Sequence, residues 1–338
     1  MIEPQNYRAT ILPVPKEVKR PLWSVMIPTY NCAGYLHETL SSVLSQAPEP
    51  EVMQIAVIDD CSTQDDPQAV VEELGQGRVE FYQQNENVGN TKNYATCLHL
   101  SCGTLIHLLH GDDLVKDGFY VRMQQAFETL QPIGAAFCRQ LFIDGHGKNL
   151  GQSDLEQLES GVLNNWLERI STMQIIQTPS IVVRRDVYEQ LEGFDERLNF
   201  LEDWEMWIRI ASYYPIWYET EPLAIYRRER PNSLTIQSRK NGKNIAEINK
   251  VINICQSYLP LEIKKTISKK ARMNWASLYL EYVLNLLNSG RRLEALSQLK
   301  EIFLLYPSFP FAVRAISTLA SQESRRVVRK ILSATKII

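Results

Sequence analysis

The amino-acid sequence predicts an α/β fold in which a mixed, mostly parallel sheet lies between helices and is followed by an α-helical C-terminal region. Short apolar runs alternate with segments of helical spacing up to about residue 235. Two of these runs are followed by paired carboxylates, Asp59-Asp60 and Asp112-Asp113, and open α/β sheets bind ligands at the carboxyl ends of their strands. From about residue 240, helical patterns dominate.

Composition and charge narrow the class of protein. The 338 residues are 44% hydrophobic, enough for one large core or two modest ones, and the net charge of −3 gives no basic field for nucleic acid. Six cysteines without a CxxC pair indicate reduced thiols in a reducing compartment. We find neither an apolar signal-peptide core nor a window with the ~18 apolar residues of a membrane span. We therefore expect a cytoplasmic protein that does not bind nucleic acid.

Three regions are predicted along the chain. Residues 1–22 carry four prolines and little periodicity, which is typical of an extended N-terminal arm. The α/β domain is expected over residues 23–238. The helical C-terminal region is expected over residues 239–338.

The α/β domain opens with a strand, Ser24–Pro28, then a loop and a helix with apolar residues at helical spacing. Asn31 is a candidate N-cap for that helix. The ring of Tyr30 is expected either to stack on a flat ligand such as a nucleobase or to pack on its own helix. This strand–loop–helix unit is the expected start of a ligand-binding sheet.

A second buried strand, Ile55–Ile58, is followed by Asp59 and Asp60. A carboxylate at this position commonly accepts a hydrogen bond from a ribose or a base. The alternative is that it caps the helix that starts near Pro67.

A third strand, Val79–Tyr82, leads through a polar turn to a helix over Thr91–Leu100. The free N–H groups in the first turn of a helix favour an anion. Lys92 lies in that turn, where it is expected either to approach a phosphate or to stay solvated.

The most informative segment is a buried strand, Leu105–Leu109, that is followed closely by Asp112 and Asp113. Two adjacent carboxylates repel each other unless a cation lies between them. Mg²⁺ or Mn²⁺ prefers such oxygen ligands and keeps coordination positions for phosphate. The alternative is that Asp113 caps the predicted helix over 117–130.

A later helix, which opens at Leu201, places Glu202 and Asp203 at its N-terminal end. The helix dipole keeps a carboxylate ionised there, which suits a base or a metal contact. For Glu202, simple capping is the preferred interpretation.

Further strands are predicted over 133–142, 181–183 and 223–226. A polar surface segment is expected over 145–160. After the last strand, Arg227, Arg228 and Arg230 form either a diphosphate clamp or a solvated basic loop.

Helical patterns in the C-terminal region cover 240–258, 262–288, 291–305 and 311–334. Gly290, Ala295 and Pro307 have the spacing of a single tetratricopeptide-type hairpin. The last helix is basic and amphipathic. It is expected either to dock its apolar face on the domain or to make peripheral contact with an anionic membrane.

Several segments, in order along residues 24–235, resemble the motifs of a family 2 glycosyltransferase, an inverting enzyme with the GT-A fold. They are Ser24–Asn31, Ser42–Gln46, Val57–Ser62, Asn87–Asn93, Leu109–Asp113, Gly193–Asp195 and Glu202–Trp204. The resemblance does not extend over the C-terminal third of the chain.

The resemblance implies a nucleotide site. Pro28 and Tyr30 would hold the base, and Asp59 or Asp60 would contact the base or the ribose. Lys92 is the candidate phosphate contact.

The resemblance also implies a metal ligand and a catalytic base. Asp112 matches the metal-binding aspartate of the DXD motif, which also contacts the nucleotide, and Asp203 matches the base of inverting members. Two positions depart from the family pattern. His110 stands in place of the first aspartate of DXD, where an imidazole can bind Mn²⁺ or hydrogen-bond to ribose. Glu229 stands near the position of a histidine.

The implied function is the transfer of a sugar from a nucleoside diphosphate sugar, a UDP- or dTDP-sugar, to an acceptor hydroxyl, with Mg²⁺ or Mn²⁺ as cofactor. The expected acceptor is a growing cell-surface glycan, a lipid-linked sugar or a protein. A nucleotidyltransferase is disfavoured because the first strand is not followed by a glycine-rich basic loop. The alternative function is a catalytically weak nucleotide-binding module whose helical tail docks a partner.

Overall fold

The computed structural model describes residues 7–228, 243–308, 310–312, 315 and 317. The predictions for Glu229, for Arg230 and for the basic face of the last helix therefore lie outside the described residues. In the part of the chain that is described, no helix is both long and apolar enough to cross a membrane.

Ten strands in the described chain form one mixed sheet. The strands are β1 (Trp23–Thr29), β2 (Met53–Asp59), β3 (Glu80–Gln83), β4 (Leu105–Leu108), β5 (Leu114–Val115), β6 (Ala135–Ile143), β7 (Asn149–Gln152), β8 (Gly161–Val162), β9 (Ile181–Arg184) and β10 (Ile216–Arg227). Eight of them lie in the order β3-β2-β1-β4-β9-β6-β10-β5, while β7 pairs with β6 and β8 with β10.

Strands β3, β2, β1 and β4 are mutually parallel, as are β6 and β10. Strand β9 runs antiparallel to both of its neighbours, β4 and β6. Because β1, β2 and β4 are parallel, the loops that follow them meet at one edge of the sheet. The candidate carboxylates of the first half of the chain therefore come together at that edge.

Helices cover both faces of the sheet. The helices are α1 (Ala33–Leu44), α2 (Pro67–Gly75), α3 (Asn90–Leu100), α4 (Phe119–Phe127), α5 (Trp166–Ile170), α6 (Arg185–Leu191), α7 (Glu202–Tyr213), α8 (Lys243–Cys255), α9 (Lys264–Asn288) and α10 (Arg292–Leu305). One apolar core joins the sheet to α1, α2 and α4, and a second joins its other face to α3, α5, α6 and α7. The predicted α/β layering is thus confirmed.

The C-terminal helices extend the second core rather than forming a separate one. Residues of α8, α9 and α10 belong to the same buried cluster as α7. The ring of Trp275 in α9 packs on that of Trp204 in α7, with the ring centroids 5.4 Å apart. The predicted helical C-terminal region is therefore present, and it supports the helix that carries Asp203.

The N-terminal segment from residue 7 packs along the domain. Ile11 is buried in the second core, and the Arg185 guanidinium donates to the carbonyl of Leu12 at 3.0 Å. The Arg8 guanidinium lies 3.5 Å from a carboxylate oxygen of Glu205, which also pairs with the buried Arg209 at 2.9 Å. These contacts tie the N-terminal segment to α6 and α7.

The short and edge strands differ most from the sequence-based prediction. β5, β7 and β8 are absent from it because strands of two to four residues carry too little alternation to be recognised. β10 begins at Ile216, seven residues before the predicted start, and passes through a register shift between Glu219 and Pro222. That irregularity interrupts the apolar pattern in the sequence.

Candidate active site

The loop after β2 uses its two carboxylates to fix neighbouring loops. Asp60 accepts hydrogen bonds from the backbone N–H groups of Val88 and Gly89 at 2.8 and 3.0 Å. Gly89 has a φ of +85°, a left-handed conformation that favours glycine. Burial raises the pKa of Asp60 above its ordinary value, although these N–H donors oppose the shift. Asp60 thus holds the turn that leads into α3.

Asp59 is fully buried and accepts from Ser62 N–H at 2.9 Å, from the Ser62 hydroxyl at 2.5 Å and from the Gln83 amide at 2.9 Å. The suggestion that Asp59 or Asp60 caps α2 is wrong, because Asp66 accepts from Ala69 N–H in that role. Both carboxylates shape the loops of the predicted nucleotide site.

The loop after β1 presents one exposed ring. Tyr30 is 42% exposed, whereas Pro28 is buried and its carbonyl accepts from Gly111 N–H at 3.0 Å. Asn31, with φ 47°, does not cap α1; its side-chain oxygen accepts from Thr63 N–H at 2.9 Å. The exposed face of Tyr30 is therefore available to a flat ligand.

Lys92 is exposed on the first turn of α3, as predicted. Its neighbour Asn90 begins the same helix and donates from its side-chain amide to the carboxylate of Glu202. The N-terminal end of α3 therefore meets the N-terminal end of α7.

His110 lies at the centre of the loop after β4. Its Nδ1 is 3.2 Å from a carboxylate oxygen of Asp113, and its Nε2 is hydrogen-bonded to the hydroxyl of Tyr94 in α3. Gly111 is required next to it, because a Cβ there would approach the Thr29 hydroxyl to 2.6 Å. The histidine ring is thus held between α3 and Asp113.

A group of three potential metal ligands occurs in this loop. One ligand atom from each of His110, Asp112 and Asp113 lies within 4.8 Å of the others. Imidazole nitrogen and carboxylate oxygen together suit Mn²⁺, and carboxylate oxygen alone suits Mg²⁺. The donor set and its spacing fit a divalent cation.

The charges of this loop, of which that of Asp113 is buried, influence each other. Burial alone would lower the pKa of His110, but its hydrogen bond to Asp113 and the charges of Asp113, Asp112 and Asp203 raise it. Burial raises the pKa of Asp113 to about 6. The alternative role of Asp113 as a helix cap is wrong, because the residue before α4 is Gly118 and no side chain caps that helix.

Arg227, at the end of β10, holds this loop from behind. Its Nε donates to the Asp112 carbonyl at 2.9 Å, and its backbone N–H donates to a carboxylate oxygen of Asp113 at 2.8 Å. Its guanidinium also pairs with Glu38 at 3.0 Å and lies over the ring of Tyr35. Arg227 is buried, so it is neither a diphosphate clamp nor part of a solvated loop.

Asp203 lies at the N-terminal end of α7, as predicted. One oxygen, Oδ2, accepts from the Gln174 amide at 2.6 Å and the Thr178 hydroxyl at 3.3 Å. The other, Oδ1, accepts from Trp204 N–H at 2.8 Å. Burial raises the pKa of Asp203 to about 6, while the Trp204 N–H and the charge of His110 oppose the shift. The carboxylate is fixed in orientation and is ionised at neutral pH.

Glu202 is buried and does not cap α7, contrary to the preferred interpretation. Burial and the charge of Asp203 raise its pKa to about 7. The preceding Leu201 has a φ of +63°, a conformation that costs a leucine about 1 kcal/mol. The backbone is therefore strained where the two carboxylates enter the site.

The structure brings Asp203, Glu202 and the His110 loop within mutual electrostatic reach, since their charges shift each other's pKa values. It adds residues that the sequence analysis did not find. They are Tyr94, Asn90, Gln174 and Thr178. Asn90 lies within a recognised motif, but isolated polar side chains such as Gln174 carry no pattern.

Comparisons with known proteins agree with this geometry. The model for glycosyl transferase family 2 matches residues 24–192, half of the chain. A protein of Mycobacterium tuberculosis is 24% identical over 69% of this chain and 75% of its own length. An uncharacterized glycosyltransferase of Mycoplasma pneumoniae is 24% identical over 65% of this chain and 72% of its own. Chondroitin synthase of Escherichia coli is 24% identical over 58% of this chain and 27% of its own.

Solved structures show the same fold. TarS 1–349 of S. aureus in complex with UDP-GlcNAc superposes with a TM-score of 0.60 at 15% identity, covering 86% of this chain and 92% of that one. This chain covers only 42% of the length of the protein in another structure of S. aureus TarS. The mannosyltransferase PcManGT from Pyrobaculum calidifontis, in complex with GDP-Man and Mn²⁺, has a TM-score of 0.56 at 16% identity, covering 93% and 83%. The fold is of the GT-A type, and the chain belongs to glycosyl transferase family 2.

Proposed function

We propose that this chain is an inverting, metal-dependent glycosyltransferase that moves a sugar from a nucleoside diphosphate sugar to an acceptor hydroxyl. The proposal rests on one observation: two segments that carry carboxylates lie close together at one edge of the sheet. One is the His110–Asp113 loop, and the other is Asp203. A single displacement needs both a site for the leaving diphosphate and a base for the acceptor.

Asp112 and His110 are the proposed metal ligands. A bound Mg²⁺ or Mn²⁺ would neutralise the charge of the departing diphosphate. His110 Nε2 is bonded to the Tyr94 hydroxyl, so the ring would bind metal through that nitrogen only by releasing Tyr94. Asp112 matches the metal-binding aspartate of the DXD motif and offers a carboxylate oxygen in the same group of potential ligands, and we assign it the principal role.

Asp203 is the proposed base. The acceptor oxygen attacks the anomeric carbon, the bond from that carbon to the diphosphate breaks, and the hydroxyl proton passes to the Asp203 carboxylate. Because attack and departure occur on opposite faces of the carbon, the configuration inverts. A pKa of about 6 keeps the carboxylate ionised at neutral pH and still basic enough to take a proton.

The proposed nucleotide site is formed by Pro28, Tyr30, Asp59, Asp60 and Lys92, together with Asp112. Tyr30 offers an exposed ring for the base, and Lys92 lies exposed on a helix N-terminal turn that favours an anion. TarS binds UDP and UDP-GlcNAc, whereas PcManGT binds GDP-Man. We retain UDP- or dTDP-sugars as the proposed donors.

The acceptor that we propose is a growing cell-surface glycan, a lipid-linked sugar or a protein, and the proposed location is the cytoplasm or the inner face of a membrane. The basic helix suggested for membrane contact lies outside the described residues. The alternative, a weak binding module with a partner-docking tail, is not favoured, because the family is one of enzymes and α8–α10 are buried against α7.

Nucleoside diphosphates should stabilise the protein in a metal-dependent way. A ligand at 100 times its Kd adds about 2.7 kcal/mol to the free energy of unfolding, which corresponds to a rise of roughly 4 °C in Tm for a chain of this size. We expect this shift with UDP or dTDP in Mn²⁺ and a smaller one in EDTA. Thermal unfolding with UDP, dTDP, GDP and ADP measures it. A Tm that does not change when any of these nucleotides is added would contradict the proposed donor site.

Asp112→Asn should remove the metal-dependent part of that stabilisation. The variant keeps the shape of the side chain but loses the charge, and we expect the rate of donor turnover to fall at least about 100-fold, since a bound cation contributes several kcal/mol. Asp117→Asn, on the exposed neighbouring loop, is the matched control. An unchanged Mn²⁺ effect in Asp112→Asn would exclude Asp112 as a ligand.

A further inference from the structure

The segment between α5 and β9 reaches across to Asp203. Gln174 and Thr178 both donate to the same carboxylate oxygen, Oδ2, at 2.6 and 3.3 Å. The backbone N–H of Trp204 donates to the other oxygen, Oδ1, at 2.8 Å. The carboxylate is therefore held by donors on both oxygens.

The two oxygens are not equivalent. A carboxylate offers about four lone-pair positions, two on each oxygen. The two donors on Oδ2 occupy both of its positions. Oδ1 accepts from the backbone N–H of Trp204, and no side chain among the described residues donates to it. A proton can therefore reach the carboxylate without displacing a side-chain donor only at Oδ1.

We propose that Gln174 is a positioning residue for the transfer reaction, which directs Oδ1 of Asp203 at the acceptor hydroxyl by holding Oδ2. This inference rests on the proposed function of Asp203 as the base. The proton of the acceptor hydroxyl then passes to Oδ1 as the acceptor oxygen bonds to the anomeric carbon. Gln174 takes no part in the proton transfer itself.

The backbone around Gln174 is anchored on both sides. The Asn274 amide of α9 donates to the Thr172 carbonyl at 3.3 Å, and the Gln140 amide of β6 donates to the Ile175 carbonyl at 2.9 Å. Ile176 is buried in the core. The amide of Gln174 is thus presented from a fixed segment, which a positioning role requires.

The surroundings of Asp203 make the contact of Gln174 consequential. Glu202 on the same helix and His110 from the β4 loop face the carboxylate, and the charge of Asp203 reaches Tyr94 on α3. Because Asp203 is half-buried, losing a donor to its ionised carboxylate costs more there than in water. Gln174 therefore also stabilises the ionised form of the base.

The test compares Gln174→Ala and Gln174→Glu with Gln124→Ala, a matched change at a half-exposed position of α4. The first readout is release of UDP from UDP-N-acetylglucosamine with Mn²⁺ and water as acceptor, or from whichever nucleotide sugar the thermal panel selects. We expect kcat to fall about 10- to 100-fold in Gln174→Ala with the donor KM within twofold. We expect a larger fall in Gln174→Glu, whose ionised carboxylate repels Asp203.

The second readout needs no donor. The side-chain carboxyl carbons of ¹³C-labelled aspartate are titrated by NMR, and the signal of Asp203 is assigned with Asp203→Asn. We expect the pKa of Asp203 to rise by about one unit in Gln174→Ala and to stay unchanged in Gln124→Ala. A merely structural role would lower Tm without moving this titration.

The outcomes separate the two proposals. If Asp203→Asn keeps wild-type turnover, the proposed base is wrong. If Asp203→Asn is inactive while Gln174→Ala keeps the wild-type kcat and the wild-type Asp203 titration, only the role of Gln174 is overturned.

Discussion

Asp203→Asn is expected to reduce turnover of the nucleotide sugar by about 10³-fold while leaving nucleotide binding intact. General base catalysis by a positioned side chain typically contributes 10²- to 10⁴-fold. The amide has nearly the same shape, and its single oxygen can keep the hydrogen bond from Trp204 N–H, whereas the bond from Gln174 to Oδ2 is lost. In Asp203→Asn, the Mn²⁺-dependent Tm shift with the selected nucleoside diphosphate should match that of the wild type. The kcat of the variant should be far below the wild-type value.

The wild-type rate should rise with pH through about 6 and level off above 7. The base must be ionised, and burial raises the pKa of Asp203 to about 6. For the same reason the folded protein loses stability as pH rises through that value, because the half-buried group resists ionisation. Asp203→Asn should therefore be more stable than the wild type at pH 8, by about 2 to 3 kcal/mol, and no more stable at pH 4.

The control for both effects is Asp154→Asn, on an exposed part of the chain. It should change neither the rate nor the pH dependence of stability. Turnover by Asp203→Asn within tenfold of the wild type would contradict the assigned base, provided that a donor has been identified.

Arg227→Met should have the largest effect on stability and should disrupt the metal loop as well. The change removes the donor to the half-buried Asp112 carbonyl, and it removes the pair with Glu38. We expect a loss of about 3 kcal/mol in the free energy of unfolding, or roughly 4 °C in Tm. The Mn²⁺-dependent stabilisation by nucleoside diphosphate should decrease because the loop that carries Asp112 is released.

Arg228→Met is the matched control for stability, since its guanidinium lies over the Phe142 ring on an exposed side chain. Arg228→Met should lower the free energy of unfolding by less than about 1 kcal/mol. Wild-type stability and metal response in Arg227→Met would show that the His110–Asp113 loop does not depend on this arginine.

The central strands could be predicted from the sequence because they are buried on both faces. β1, β2 and β4 appear as short apolar runs followed by polar loops, and their parallel pairing follows from the intervening helices. The edge strands β5 and β7 could not be predicted in this way. β5 has only two residues, and all four residues of β7 are exposed, so neither strand has an apolar pattern long enough to be recognised.

The capping roles suggested for Asp113, Asp60 and Glu202 are wrong for one reason. A carboxylate that caps a helix and a carboxylate that anchors a loop both occur near the start of a helix in the sequence. Only the position of the nearest hydrogen-bond donor in the folded protein distinguishes the two roles. Asp113, Asp60 and Glu202 accept from Arg227, from the turn before α3 and from Asn90. The clamp role suggested for Arg227 is wrong for the same reason, because its hydrogen-bond partners are distant in the chain and cannot be read from its neighbours in the sequence.

The sequence by itself determined the fold class and the ordered motifs that place Asp112 and Asp203 in a family 2 glycosyltransferase, because strand burial and loop chemistry are written in contiguous residues. Only the tertiary structure decided which side chains surround those two carboxylates. Gln174 donates to the Asp203 carboxylate, Arg227 donates to the main-chain carbonyl of Asp112, and Tyr94 holds the neighbouring His110, all through hydrogen bonds between residues far apart in the chain. Such contacts depend on how helices and loops pack in three dimensions, which no local pattern records.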